Sequence, residues 1–251
     1  MSGVVKFRSN MNCIRISLVR SHMPGNLVRN VPVAGLKYFR PPTDYTGMQI
    51  PEKPKLWMLP KVPQFPPGMR IPKSQKKLID MRGPETVHNQ LLHKQYGIIA
   101  ITGGKLRHGH MEMIRMTLGR RMDTSRMFAV WRVDAVWKPI TKRGQGKRMG
   151  GGKGSIDHYV TPVRAGRVIV ELAGACEFEE VKPALEEVAG KLPFKAEVVS
   201  HEMLQKKLEQ ESWAEENNTN QYTYKYLIQN NMMGCHKWCS KYDKVWFGKY
   251  Q

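Results

Sequence analysis

The chain has 251 residues and carries 41 Lys plus Arg against 21 Asp plus Glu, a formal charge of +20 with a pI near 9.9. It holds no apolar run long enough for a transmembrane helix, and its four cysteines show no disulfide-framework spacing, which points to a reducing compartment. The charge is uneven: residues 1–176 hold 31 basic and 9 acidic side chains, whereas residues 177–251 hold 10 and 12. Such an asymmetry implies a polyanion-facing body and a near-neutral tail.

Residues 1–40 contain seven cations (Lys6, Arg8, Arg15, Arg20, Arg29, Lys37 and Arg40) and no acid. Apolar residues such as Ile14, Ile16, Leu18 and Val19 lie among them. This is the composition of a mitochondrial presequence, with cleavage expected between Arg20 and Arg40. An RNA-binding arm is the competing reading.

Residues 41–84 contain ten prolines, which fix φ and remove amide donors. An extended arm is expected there, lying on another surface and anchored by Trp57, Leu59 and Phe65. A domain is expected over residues 85–205, followed by a C-terminal extension over 206–251. Within the domain, Tyr96–Ile101 reads as a buried strand ended by Gly103-Gly104. Met111, Ile114 and Leu118 mark one face of a helix over His110–Leu118, with Arg115, Arg120 and Arg121 on or after its exposed side. Met127–Val133 reads as a strand.

Lys138–Gly154 follows, with six cations (Lys138, Lys142, Arg143, Lys147, Arg148 and Lys153), six glycines and no acid. Glycine loses the most backbone entropy on ordering, and crowded cations repel one another. Phosphates answer both problems, because they neutralise the cations and release counterions. Arg148 can bond phosphate bidentately or stack on a base, while Lys147 and Lys153 are compact point charges. Trp131 and Trp137 flank the stretch and read as core packing before base stacking.

Ile156–Val163 and Arg167–Leu172 flank Ala165-Gly166 and predict a hairpin. Val181, Ala184, Leu185, Val188, Ala189 and Leu192 fall at helical spacing and predict an amphipathic helix ended by Pro193. Lys195–Ser200 predicts a closing strand, and residues 201–216 a polar helix broken at Asn217–Asn220.

Other chemistries fail at named positions. A Walker loop ending at Gly152-Lys153 would need glycine where Lys147 stands and Ser or Thr where Gly154 stands. Cys235-His236-x-x-Cys239 has no second ligand pair, so no metal site or cofactor is expected. No nucleophile elbow or carboxylate pair suggests an enzyme.

Five blocks, in order and spacing, carry a resemblance. They are Lys138-Pro139-Ile140-Thr141, Arg148-Met149-Gly150, Gly152-Lys153-Gly154, Tyr159-Val160 with Gly166-Arg167, and Lys191–Lys195 (KLPFK). Over about residues 96–200 the chain resembles the L-sixteen family of large-subunit ribosomal proteins, and its presequence-like start and extensions look like the mitochondrial form. The resemblance implies an α+β fold, with a mixed sheet, two packed helices, a long Gly-rich basic loop and extended terminal arms. It implies a non-enzymatic place on the large subunit near the central protuberance, the loop directed toward the tRNA path beside the peptidyl transferase centre. It also implies large-subunit rRNA as partner, with tRNA and neighbouring ribosomal proteins, the latter through the two extensions. A free mitochondrial RNA-binding or assembly factor is the alternative. The RNA-contacting set expected on this basis is Lys138, Lys142, Arg143, Lys147, Arg148, Met149, Gly150, Lys153, Arg107, His108, Arg120 and Arg121. Bacterial members usually carry Lys where Gly151 stands and Lys-Pro where Arg143-Gly144 stand. Arg148 matches an arginine hydroxylated in some bacterial relatives.

Overall fold

The computed structural model describes residues 43–45, 47–69 and 78–250. The presequence expected over residues 1–40 lies outside them. From Asp44 onward the described residues form one unit.

Seven strands and five α-helices are present among the described residues: β1 (Tyr96–Ala100), β2 (Gly104–Arg107), α1 (His108–Arg121), β3 (Met127–Trp131), β4 (Lys138–Lys142), β5 (Ser155–Val163), β6 (Val168–Gly174), α2 (Phe178–Gly190), β7 (Ala196–Ser200), α3 (His201–Glu216), α4 (Tyr224–Gln229) and α5 (Lys241–Trp246). The fold is α+β. The strands form two sheets, a four-stranded one in the order β3-β6-β1-β7 and a three-stranded one in the order β2-β5-β4. Every named strand pair is antiparallel, so the single mixed sheet of the sequence reading is replaced by two antiparallel ones.

Helix α1 buries Met111, Ile114 and Leu118, the i, i+3, i+7 stripe of the sequence, and runs beyond it at both ends. Arg120 and Arg121 sit in its last turn, where the helix dipole favours cations. Helix α2 buries Val181, Ala184, Leu185 and Val188. The two helices pack together, and Arg121 bridges to Glu187 of α2 at 2.8 Å. Their apolar stripes and one face of the four-stranded sheet share a core with Ile98, Val170, Leu172 and Val198. The other sheet face buries Ile99, Val168 and Val199 beneath Leu91, with Leu204 of α3 packed against them.

That second face also buries Glu171, 1% exposed, in the middle of β6. Its carboxylate accepts the backbone N–H groups of Leu92 (2.9 Å) and His93 (3.2 Å) and meets Arg132 Nε at 2.9 Å. A buried charge survives when it is both paired and hydrogen-bonded, and Glu171 meets both conditions.

The hairpin expected at Ala165-Gly166 does not form. Both edges of β5 already carry partners, β2 and β4, while β6 lies between β1 and β3. The turn therefore passes the chain from one sheet to the other, with Gly166 N–H on the Ala100 carbonyl at 2.7 Å. Strands β2 and β4 have no counterpart in the sequence reading. Gly103-Gly104 does more than end β1. A Cβ on Gly103 would stand 2.0 Å from the Met81 carbonyl oxygen, and one on Gly104 would stand 2.3 Å from the Phe194 ring.

The Pro-rich segment docks on its own domain. Leu56 and Leu59 enter the core, Ala129 N–H bonds the Pro54 carbonyl at 2.9 Å, and Trp131 Nε1 donates to the Trp57 carbonyl at 2.9 Å. Trp57, expected as an anchor, is 60% exposed, because it is its backbone that is held. Phe65 is half-buried. The polar helix expected over residues 201–216 forms as α3, whereas the rest of the C-terminal arm, expected to be extended, is helical in α4 and α5; Ser200, Thr223 and Ser240 each cap a helix by accepting a backbone N–H. Ile228 and Cys235 are buried there, and Trp246 lies close to Gly83.

Candidate nucleic-acid interface

The three-stranded sheet carries the basic stretch. Strands β4 and β5 pair from Lys138↔Val160 to Lys142↔Ser155. Between them, residues 143–154 adopt turns and bends and, Gly154 apart, are exposed. Gly146, Gly150 and Gly152 have φ of 78°, 109° and 78°, a region that L side chains rarely enter. Lys147 N–H meets the Gly144 carbonyl at 3.4 Å.

Arg143 organises this segment from within. Its guanidinium donates to the Arg148 carbonyl at 3.1 Å and to the Gly152 carbonyl at 3.4 Å. This cation, expected from the sequence to contact phosphate, thus spends two donors on the loop's own backbone. Lys142, Lys147, Arg148 and Lys153 are exposed and have no ion pair among the described residues. Met149 is 93% exposed beside Gly150. An apolar side chain held out among cations suits contact with a base or sugar rather than with a phosphate.

Lys138 stands apart from the others. It is 5% exposed, and its ammonium pairs with Asp80. The alternation of β4 turns it under the segment that holds Met81, so it serves the fold and offers phosphate nothing. Arg121 is engaged by Glu187, and Arg120 is exposed at the far end of α1. Arg115 is held by Glu112 within α1, at 2.7 Å. His108 is partly buried, with Nε2 on the Leu59 carbonyl at 3.0 Å, so it ties α1 to the Pro-rich segment. Arg107 is exposed at the end of β2, across from Val160. The structure therefore gathers Lys142 through Lys153 into one exposed lobe, with Arg107 on the same sheet, and leaves Lys138, His108, Arg120 and Arg121 outside it. Of the two tryptophans, Trp131 is core and Trp137 is 42% exposed.

One acid interrupts the basic field. Asp157 of β5 accepts from His158 Nδ1 at 2.8 Å, and that bond, with Lys142 and Arg107 nearby, holds its carboxyl below the usual carboxylate range. The sequence reading passed over Asp157 and His158. Strand alternation through Ile156–Val160 was the signal that could have separated them.

No group of three or more His, Cys, Asp or Glu with metal-binding geometry occurs among the described residues. His236 Nε2 lies 2.7 Å from the Ile228 carbonyl and Cys235 is buried, which makes the CHxxC stretch a packed turn.

The family described as ribosomal protein L16p/L10e matches residues 66–199, just over half of the chain. The match begins within the Pro-rich segment, well upstream of the blocks that carried the resemblance. The large ribosomal subunit protein uL16 of Agathobacter rectalis is 35% identical over 120 residues, covering 48% of this chain and 81% of that protein. The protein of the same name from a Sulfurihydrogenibium species is 35% identical over 118 residues, covering 47% of this chain and 83% of that protein.

Proposed function

We propose, from the premise that this chain belongs to the ribosomal protein L16p/L10e family, that it is built into the large subunit of the mitochondrial ribosome. As a family member it is a structural, non-catalytic, rRNA-binding ribosomal protein of the large subunit. The finer reading places it near the central protuberance, with the β4–β5 lobe directed toward the tRNA path beside the peptidyl transferase centre. In that position it supports mitochondrial translation from the matrix side.

The observation that carries this reading is the lobe itself: four exposed cations, without an ion pair among the described residues, on glycine-rich backbone pre-shaped by Arg143. Glycine backbone lets phosphates approach from several directions, and backbone contacts dominate recognition of folded RNA. The mitochondrial assignment is supported by the acid-free, arginine-bearing residues 1–40. Helices α3 to α5, lying beyond the family match and close to neutral in charge, suit contact with neighbouring ribosomal proteins.

Sedimentation of mitochondrial lysate through a high-salt sucrose gradient tests the reading. The chain should travel with the large subunit, and deletion of residues 1–40 should abolish import while leaving the RNA affinity of the purified protein intact. Release from large subunits in high salt would favour a free assembly factor. Import that survives the deletion would remove the presequence.

A further inference from the structure

One face of the three-stranded sheet holds a cleft that the reading above does not use. Strand pairing sets Arg107 opposite Val160, and Ile140 opposite His158. These four residues and Lys105, two residues before Arg107, therefore share one face. The opposite face carries Leu106, Thr161 and Tyr159, of which Leu106 and Tyr159 pack into the core. The cleft has a volume of about 620 Å³, within the usual range for small-ligand sites. Its walls are apolar at Ile140, Val160, Pro193 and Met81 and cationic or imidazole at Lys105, Arg107, His110 and His158.

We propose that this cleft receives a single unpaired nucleotide of RNA, bulged or flipped out of its helix. Lys105 and Arg107, both exposed, take its phosphate. The base enters against Ile140 and Pro193. His110 supplies a directed donor: its Nδ1 accepts the Arg107 backbone N–H at 3.1 Å, so the neutral ring carries its proton on Nε2. Burial, and then the charge of Arg107, lower its pKa and keep the ring in that neutral form. His158 is fixed from behind by Asp157 and presents its other nitrogen as a hydrogen-bonding edge. Recognition of RNA favours such splayed bases, held by stacking and edge contacts rather than by a groove. The cleft adjoins the stem of the basic lobe, since Ile140 lies two residues from Lys142 on the same strand. Phosphates leaving the lobe thus lead toward it.

The proposal rests on the rRNA-binding reading and is independent of the mitochondrial one. The test uses the purified full chain and two RNA hairpins of one sequence, differing by a single bulged adenosine. Binding is read by fluorescence anisotropy at one fixed salt concentration. The bulged hairpin should bind about tenfold more tightly, in the lower part of the range for seating one base. Ile140→Trp fills the cleft without changing charge and should erase the preference while leaving affinity for the paired hairpin unchanged. Lys105→Ala, at an exposed position, should reduce the preference without lowering the melting temperature, which keeps the test sound if Ile140→Trp perturbs the sheet. Neutralising the lobe cations should weaken both hairpins equally. Equal binding of the two hairpins by the wild type would overturn the proposal. So would a preference that survives both cleft variants, or one that only the lobe variant removes. In those cases association with the large subunit would stand on its own gradient result.

Discussion

Strands β5 and β6 follow one another in the chain and are built for opposite purposes. All seven residues of β6 are buried, including the charged Glu171. Strand β5 starts exposed at Ser155, Ile156 and Asp157 and becomes buried only from Val160 onward. One strand is flanked on both sides within a sheet covered on both faces. The other is half core and half stem for a cationic lobe. Stability and RNA contact are thus assigned to adjacent segments, and substitutions should separate them.

The largest effect is expected deep in the β6 layer. Leu185 of α2 is 0% exposed. Leu185→Asp would place an unpaired carboxylate in that core at a cost on the order of 5 kcal/mol, comparable with the whole stability of a domain. Circular dichroism should show an unfolded or barely folded protein at room temperature. A normal melting curve would break the contrast at its root.

Next comes Glu171→Gln, which keeps shape and removes charge. Arg132 would lose its buried partner, at a cost of about 3 kcal/mol. Urea denaturation should show a lower midpoint with an unchanged slope, and RNA affinity below the transition should match wild type.

The smallest effect on stability, and the largest on RNA, belongs to the lobe. Replacing Lys142, Arg143, Lys147, Arg148 and Lys153 by Gln should leave stability within about 0.5 kcal/mol, as for most surface changes. The salt dependence of single-stranded RNA binding should fall by about 3 in slope, because four of these cations are exposed and each contributes roughly 0.7. A finer cut is Arg148→Lys, which keeps the charge and removes the planar fork. Slowed translation by ribosomes that carry this variant would mark directed contact. A wild-type rate, beside a damaged five-site variant, would reduce the lobe to diffuse charge.

The sequence exposed some of this plainly and hid the rest for physical reasons. Helices α1 and α2 were legible because burial imposes a 3.6-residue period, and Met111, Ile114, Leu118, Val181, Leu185 and Val188 obey it. Strands β2 and β4 were not. Gly104–Arg107 is short and polar at alternate positions, and Lys138–Lys142 begins with a buried lysine, whose partner Asp80 is distant in sequence. The same distance hid the true place of Ala165-Gly166. A turn signal records a reversal but not which strands already occupy the edges. Within the lobe, residue type announced the charge. It could not announce that Arg143 would turn inward onto the Arg148 and Gly152 carbonyls.

The docked Pro-rich segment carries a consequence for the order in which this chain folds. Tyr45 donates to the Cys176 carbonyl across 131 residues, and the Trp57 carbonyl accepts from Trp131 across 74. Leu56 and Leu59 have no pocket until β3 exists. The first part of this unit to leave a ribosome or a translocation pore is therefore among the last to reach its native contacts. Contacts of such long sequence separation delay folding, because loop closure precedes any gain from them. Until β3 and β6 have emerged, Leu56, Trp57, Met58 and Leu59 remain available to a chaperone that holds apolar segments.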